Sequence, residues 1–246
     1  MRIRTWQLAL SVSLLVLSVL LYVIHYVIFH DSYHIVYYFL LDIAFVPIEV
    51  LLVTLIVHEL LSARERRSMF EKLNMVIGAF FSEVGTKLLA LSFACDTDAE
   101  HIRTELEAIG GWTGSDYATM RRRLNNYPFN IDKDKIDLRS LQGFLIARRD
   151  FLLRLLENPN LLEHEKFTEL LWAVFHLTDE LAFRTDVDSL PDSDRAHLAG
   201  DMRRAYVLIA QEWLTYMGYL KREYPYLYSL SMRTNPFNPK ASPVVM

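Results

Sequence analysis

The sequence predicts an all-α protein: an N-terminal two-helix transmembrane hairpin that continues into a cytosolic helical bundle. Three observations predict it. Two apolar runs, residues 6–29 and 35–57, are each long enough to cross a bilayer, which takes about 20 residues of helix. From residue 62 onward, apolar residues recur at steps of three and four, the spacing of one helix face. No stretch alternates apolar and polar residues as a half-buried strand would. Hydrophobic residues make up 52% of the 246-residue chain and mean hydropathy is +0.14. That excess is gathered in residues 1–61, so the expected division is a hairpin at 1–61, a cytosolic α-helical domain at 62–234 and an irregular tail at 235–246.

The first helix is expected at about residues 6–29, which hold no Asp, Glu, Lys or Arg. The run is too long for a cleaved signal peptide and no small-residue cleavage site follows, so it reads as a retained transmembrane helix. Residues 30–34 (HDSYH) form a short connection, and the second helix follows at about 35–61. Arg2 and Arg4 precede the hairpin, Arg64, Arg66, Arg67 and Lys72 follow it, and the connection has neither Lys nor Arg. Positive charge stays on the cytoplasmic side, so a multi-pass protein of the inner (plasma) membrane with both termini cytoplasmic is expected. No Pro or Gly interrupts the chain between Pro47 and Gly78. The second helix should therefore run on as a cytosolic stalk, packing through Leu73, Val76, Ile77, Phe80, Val84 and Leu88.

Beyond it every segment reads as helix. Asp96, Thr97 and Asp98 offer N-caps for a helix to about Ile109, ended by Gly110 and Gly111. Thr113 or Ser115 can cap a short helix that ends before Pro128. Asp137 opens a long one through Leu141, Leu145, Phe151 and Leu155, closed before Pro159. Others are expected at about 163–183 and 193–223, with a short apolar piece after Pro225. Pro128, Pro159, Pro191 and Pro225 sit at the joints, where proline is tolerated.

The runs DIAFVPIEVLLVTLI, EKLNMVIGAFFSEVGTKLL, LLWAVFHLTDEL and YPYLYSLSMRTNPF resemble those of an uncharacterised group of prokaryotic two-pass helical membrane proteins. The resemblance covers most of the chain and implies no activity.

Polar residues inside the apolar runs are the functional candidates. Asp42 and Glu49 lie seven residues apart, so on a helix they fall within about 20° of each other, two turns along one face. Ser11, Ser18 and His25 make a matching seam on the first helix. In an antiparallel hairpin His25 would lie at the depth of Asp42, and Ser18 opposite Glu49. An ionised carboxylate in the middle of a bilayer costs at least several kcal/mol when unpaired. The acids would then be neutral or hydrogen-bonded helix glue, rings around a water-filled axis in an oligomer, or part of a proton relay or metal site. Pro47 between them would kink the helix, or be one of the prolines that transmembrane helices accept.

His30, Asp31 and His34 in the connection form a candidate metal set, imidazole and carboxylate together suiting a divalent ion. No other cofactor is expected. Haem would want histidines at matching depth, whereas His25 and His58 lie at opposite ends of the hairpin. Gly78, Ser82 and Gly85 make a small-residue strip for close helix packing. Clusters at Arg121–Arg123, Arg148–Arg149 and Arg203–Arg204 on otherwise acidic helices read as solvated faces; alternatively a domain tethered to the inner leaflet would use them, with Arg64, Arg66 and Arg67, on anionic headgroups. His176 and Glu180 form an H-x-x-x-E pair, read as a solvated acidic face with one histidine near the core.

Net charge is −4, with no bulk basic field of the kind nucleic-acid binding leaves. The lone Cys95 rules out an internal disulfide and reads as a small buried hydrophobe. No phosphate loop, serine nucleophile elbow or zinc-protease pattern occurs, so no enzyme is expected. The expected function is a homo-oligomeric membrane protein whose second helix lines a cation, proton or metal-ion pathway. Its cytosolic bundle would serve assembly and gating, and its partners would be lipid and further copies of the chain. The alternative is a non-conducting membrane-anchored sensor or scaffold whose bundle binds a cytosolic protein.

Overall fold

The computed structural model describes residues 5–30, 32–161 and 164–244. Among these the chain is all-α, with one antiparallel bridge between Asp96 and Ile131 and no strand. It divides into two units, Met1–Arg66 and Arg67–Met246.

In the first unit α1 spans Thr5–Phe29 and α2 begins at Ser32, running to Phe80 beyond the division. His30 ends α1 in the left-handed region (φ 50°), its N–H donating to the Tyr26 carbonyl at 2.9 Å. Pro47 lies within α2 without ending it. The described side chains of α1 are exposed except that of His25, which is half-buried. Those of α2 as far as Arg66 are exposed except Ile35 and Ser62. Consecutive apolar residues such as Leu51, Leu52 and Val53 all remain at least half exposed, so the described residues of this unit enclose no interior.

In the second unit α2 becomes one-sided. Leu73, Ile77 and Phe80 are buried and Val76 packs against them, while Met75 stays exposed. At Phe81–Gly85 the helix winds as a π-turn before continuing as α3, Thr86–Cys95, so the helical path is unbroken from Ser32 to Cys95. The wider turn admits two adjacent aromatic rings, Phe80 and Phe81, to the interior. Gly85 makes room for both: a Cβ there would lie 2.6 Å from Phe80 Cε1 and 2.7 Å from Phe81 Cδ1. Gly78 faces the Tyr216 hydroxyl, which a Cβ would meet at 2.6 Å. Ser82, third member of the small-residue strip, is exposed.

The remaining helices are α4 (Glu100–Glu107), α5 (Gly114–Asn125), α6 (Leu138–Ile146), α7 (Arg149–Leu156), α8 (Glu165–Ala182), α9 (Asp192–Glu223) and α10 (Pro225–Arg233). Thr113 and Asp116 close a capping box on α5, and Asp137 Oδ1 caps α6 by accepting from the Ser140 N–H. The single helix expected from Asp137 to Leu155 is two, broken at Ala147 and Arg148. There Arg148 Nε donates to the Glu83 carbonyl at 2.8 Å, on the π-turn, and its guanidinium lies over the Phe144 ring. The long-range hydrogen bond favours the break over a continued helix.

The core lies chiefly between α8 and α9, with α3 and α5 packed on α9 and α6 and α7 on α8. Phe167, Leu170, Leu171, Val174, Leu177 and Leu181 of α8 are fully buried at steps of three and four. α9 answers with Leu198, Met202, Ala205, Tyr206, Ile209 and Trp213. Its first turn carries Asp192 and Asp194 and its last Lys221 and Arg222, each sign matched to the helix dipole. Cys95 is buried, donating to the Lys135 carbonyl at 3.4 Å, and burial pushes its thiol above the ordinary value.

Candidate functional site

Two groups of polar residues stand out, one in each unit. In the first, Asp42 and Glu49 share a face of α2 and both are exposed in the single chain, as is Ser18 on α1. Among the described residues no hydrogen bond or ion pair ties either acid to Ser18 or His25. His25 packs on Phe29, ring centroids 4.8 Å apart, and its Nδ1 is enclosed without a hydrogen-bond partner. The sequence allowed the two polar seams either to face each other or to face a shared axis; among the described residues no polar contact joins them within one chain. His30 is exposed at the end of α1, and His34, expected in the connection, lies in the first turn of α2, exposed beside Tyr33 and Tyr38. Asp31 lies outside the described residues, as do Arg2 and Arg4. Arg64 and Arg66 are exposed, and Arg67 pairs with Glu71 at 3.2 Å.

The second group lies where α8 meets α9. His176 and Glu180 stand one turn apart on α8, and His197 and Asp201 one turn apart on α9. Packing of the two helices brings all four together. His176 Nε2 is 3.5 Å from Asp201 Oδ2 and 3.8 Å from Glu180 Oε1. His197 Nε2 is 3.3 Å from the same Asp201 oxygen and 3.7 Å from Glu180 Oε2. Asp201 is the buried member, its side chain 3% exposed, while the two imidazoles are about half exposed and open the cluster to solvent. Asp201 Oδ1 accepts from Arg204 at 2.9 Å; Oδ2, which faces the histidines, has no hydrogen-bond partner.

Arginines fix the outer side of the cluster. Arg184 Nη1 donates to Glu180 Oε2 at 2.7 Å, while its Nε and Nη2 grip Asp194 at 2.7 and 2.6 Å in a two-pronged pair. That hydrogen bond from Arg184 holds the Glu180 carboxyl below the usual value, and the Arg184 fork does the same for Asp194. The sequence pointed to His176 and Glu180 only as a solvated face. It left out His197 and Asp201, although H-x-x-x-E and H-x-x-x-D on consecutive helices was the available signal.

The inner basic clusters serve the fold. Arg149 pairs with Asp179 at 2.9 Å, Arg123 pairs with Glu105, and Arg203 donates to the Pro128 and Phe129 carbonyls. The aromatic segment after Leu214 lines a groove of about 750 Å³ with Asn74, Gly78, Tyr216, Tyr219 and Leu227 among its walls.

A family model described as "Uncharacterized protein MJ1433, C-terminal helical domain" matches residues 69–233. A second, "MJ1433, N-terminal helical domain", matches residues 2–61. The chain belongs to the MJ1433 family. It is 48% identical over 238 residues to "Uncharacterized protein MJ1433" of Methanocaldococcus jannaschii, a match spanning 97% of this chain and 96% of the relative. No solved structure matches the chain. The two MJ1433-family domains divide the polar groups, Asp42 and Glu49 falling in the N-terminal one and the α8–α9 cluster in the C-terminal one.

Proposed function

We propose that this MJ1433-family chain is an integral membrane protein that crosses the bilayer twice through α1 and α2, with both termini cytoplasmic. Copies associate so that Asp42 and Glu49 line a cation pathway, and the unit from Arg67 onward is a cytosolic assembly and gating domain. The observation that carries the reading is the pair of acids, exposed and unpartnered on a helix that is otherwise apolar there.

Two helices are long and apolar enough to cross a membrane, each with a segment of mean hydropathy 2.5 that is not covered by the rest of the chain. Soluble monomers rarely expose contiguous apolar patches above roughly 300–600 Å². Lipid covers such a surface at no cost, whereas water does not. Lipid in turn makes a lone carboxylate expensive, and among the described residues no side chain relieves Asp42 or Glu49. A second copy, with water or an ion between, does. Two helices cannot enclose a pore, so the pathway requires a closed symmetric assembly. Pro47, between the acids, removes one amide donor and leaves a backbone carbonyl beside the route.

A second reading keeps the membrane anchor without a pathway and makes the cytosolic unit a sensor; the α8–α9 cluster favours it. Cation flux into liposomes holding purified protein separates the two. The pathway predicts flux above that of empty vesicles, cut at least tenfold by Asp42→Asn with Glu49→Gln. Flux equal to empty vesicles, or indifferent to both substitutions, leaves the anchored sensor.

A further inference from the structure

We propose that His176, Glu180, His197 and Asp201 form a binding site for one divalent transition-metal ion at the α8–α9 interface, with Zn2+ the best-matched species. The donor set is two imidazoles and two carboxylates, which suits zinc and its neighbours rather than the all-oxygen coordination of calcium or magnesium.

The spacings carry the argument. Zn–N bonds of about 2.0–2.1 Å and Zn–O bonds of about 2.0–2.2 Å set the edges of a tetrahedral ligand shell at roughly 3.3–3.5 Å. Asp201 Oδ2 stands 3.5 Å from His176 Nε2 and 3.3 Å from His197 Nε2, and Glu180 Oε1 stands 3.8 Å from His176 Nε2. One ligand atom each of His176, Glu180 and Asp201 lies within 4.8 Å of the others, with His197 meeting this group through Asp201. A charge-assisted hydrogen bond would close to about 2.7–2.9 Å. Arg184 makes contacts of that kind in the same place, at 2.6 to 2.7 Å, so the gap at the histidines is not general looseness of the two helices.

Asp201 supplies a second, independent observation. It is almost wholly buried, yet Oδ2 has no hydrogen bond and stands 3.5 and 3.3 Å from the two imidazole nitrogens. Leaving a buried carboxylate oxygen unsatisfied costs on the order of the desolvation of that group, and a cation is what answers it. Each carboxylate also has an oxygen pinned by an arginine, Oδ1 of Asp201 by Arg204 and Oε2 of Glu180 by Arg184. Metal sites use this outer hydrogen bonding to aim their ligands. Charge permits the ion: Glu180, Asp194 and Asp201 outnumber Arg184 and Arg204 before any metal binds. The half-exposed imidazoles leave an open approach and room to close a few tenths of an ångström onto it.

The test uses the purified full chain in detergent, stripped with chelator and titrated with Co2+ under visible absorption, then with Zn2+ in competition. The site predicts one Co2+ per chain at micromolar or tighter Kd, intense tetrahedral d–d bands, and their loss as Zn2+ displaces it. Asp201→Asn and His197→Ala should each weaken binding at least tenfold, while His30→Ala with His34→Ala leaves it unchanged. His197 is exposed enough that its variant should fold as the parent does, checked by circular dichroism. Absence of saturable binding at one equivalent would overturn the site, as would binding that ignores both α8–α9 variants or follows the His30 and His34 pair. The outcome is independent of the flux experiment.

Discussion

His197 Nε2 and Asp201 Oδ2 stand 3.3 Å apart on one face of α9, and the oxygen they share with His176 has no hydrogen bond. The arrangement unites side chains from two helices whose packing is largely apolar, with Leu177 and Leu198 buried nearby in sequence. Its stability should therefore depend on what occupies it.

With Zn2+ held a hundredfold above Kd, binding to the folded chain should raise its unfolding free energy by about 2.7 kcal/mol. Asp201→Asn keeps the shape and removes the charge, so at the same zinc concentration it should lose at least about half of that increment while changing the metal-free stability far less. Chemical denaturation with and without Zn2+ measures both. Equal zinc stabilisation of parent and variant would place the ion elsewhere.

A second buried carboxylate behaves differently because it is satisfied. Asp96 Oδ2 accepts from Tyr127 at 2.8 Å and Tyr206 at 3.1 Å, while Oδ1 accepts from the Asp98 N–H at 3.0 Å. Burial raises both tyrosine hydroxyls well above their ordinary value, so they remain donors across any physiological pH. Tyr206→Phe should cost about 1–3 kcal/mol, since it strips a bond from a buried acceptor. Tyr127→Phe, at a half-buried ring, should cost less, and the double variant should depart from additivity because the two share one oxygen. Thermal unfolding of the three variants decides; costs near zero would show that the triad does not matter.

Glu212 on α9 is buried, and burial lifts its carboxyl above the ordinary 4.5 against the opposing pull of His164, Lys166 and Arg121. The folded chain thus binds this proton more tightly than the unfolded one. Its contribution to stability is complete below the unfolded value, falls as pH rises through the window up to the folded value, and is lost above it. Glu212→Gln should match the parent at acid pH and exceed it above the window, by several degrees in Tm. A difference in Tm that is constant with pH would contradict this assignment.

The helical class and most helix joints were legible because burial follows the helical period. Leu73, Ile77, Phe80, Val84 and Leu88 are all in the interior, as their spacing indicated. The break between α6 and α7 was not, because it depends on Arg148 reaching a carbonyl 65 residues earlier in the chain. The metal-type cluster was half legible. One i, i+4 pair of histidine and acid is commonplace on a solvated helix, and only the register of α8 against α9 makes two such pairs one site. Asp42 and Glu49 were conspicuous from the start, since charge inside an apolar run needs no tertiary information to stand out. Their lack of a partner among the described residues was not foreseeable, because it depends on how little α1 covers of α2.

Cysteine cross-linking in native membranes probes the acidic face of α2 most directly. In a Cys95→Ala background, oxidation should join copies carrying Asp42→Cys or Glu49→Cys. Leu51→Cys, about 160° around the helix from Glu49, should stay monomeric. Cross-links at 42 and 49 but not at 51 are the predicted result; none at 42 and 49, or equal linkage at all three positions, would contradict an assembly built on that face.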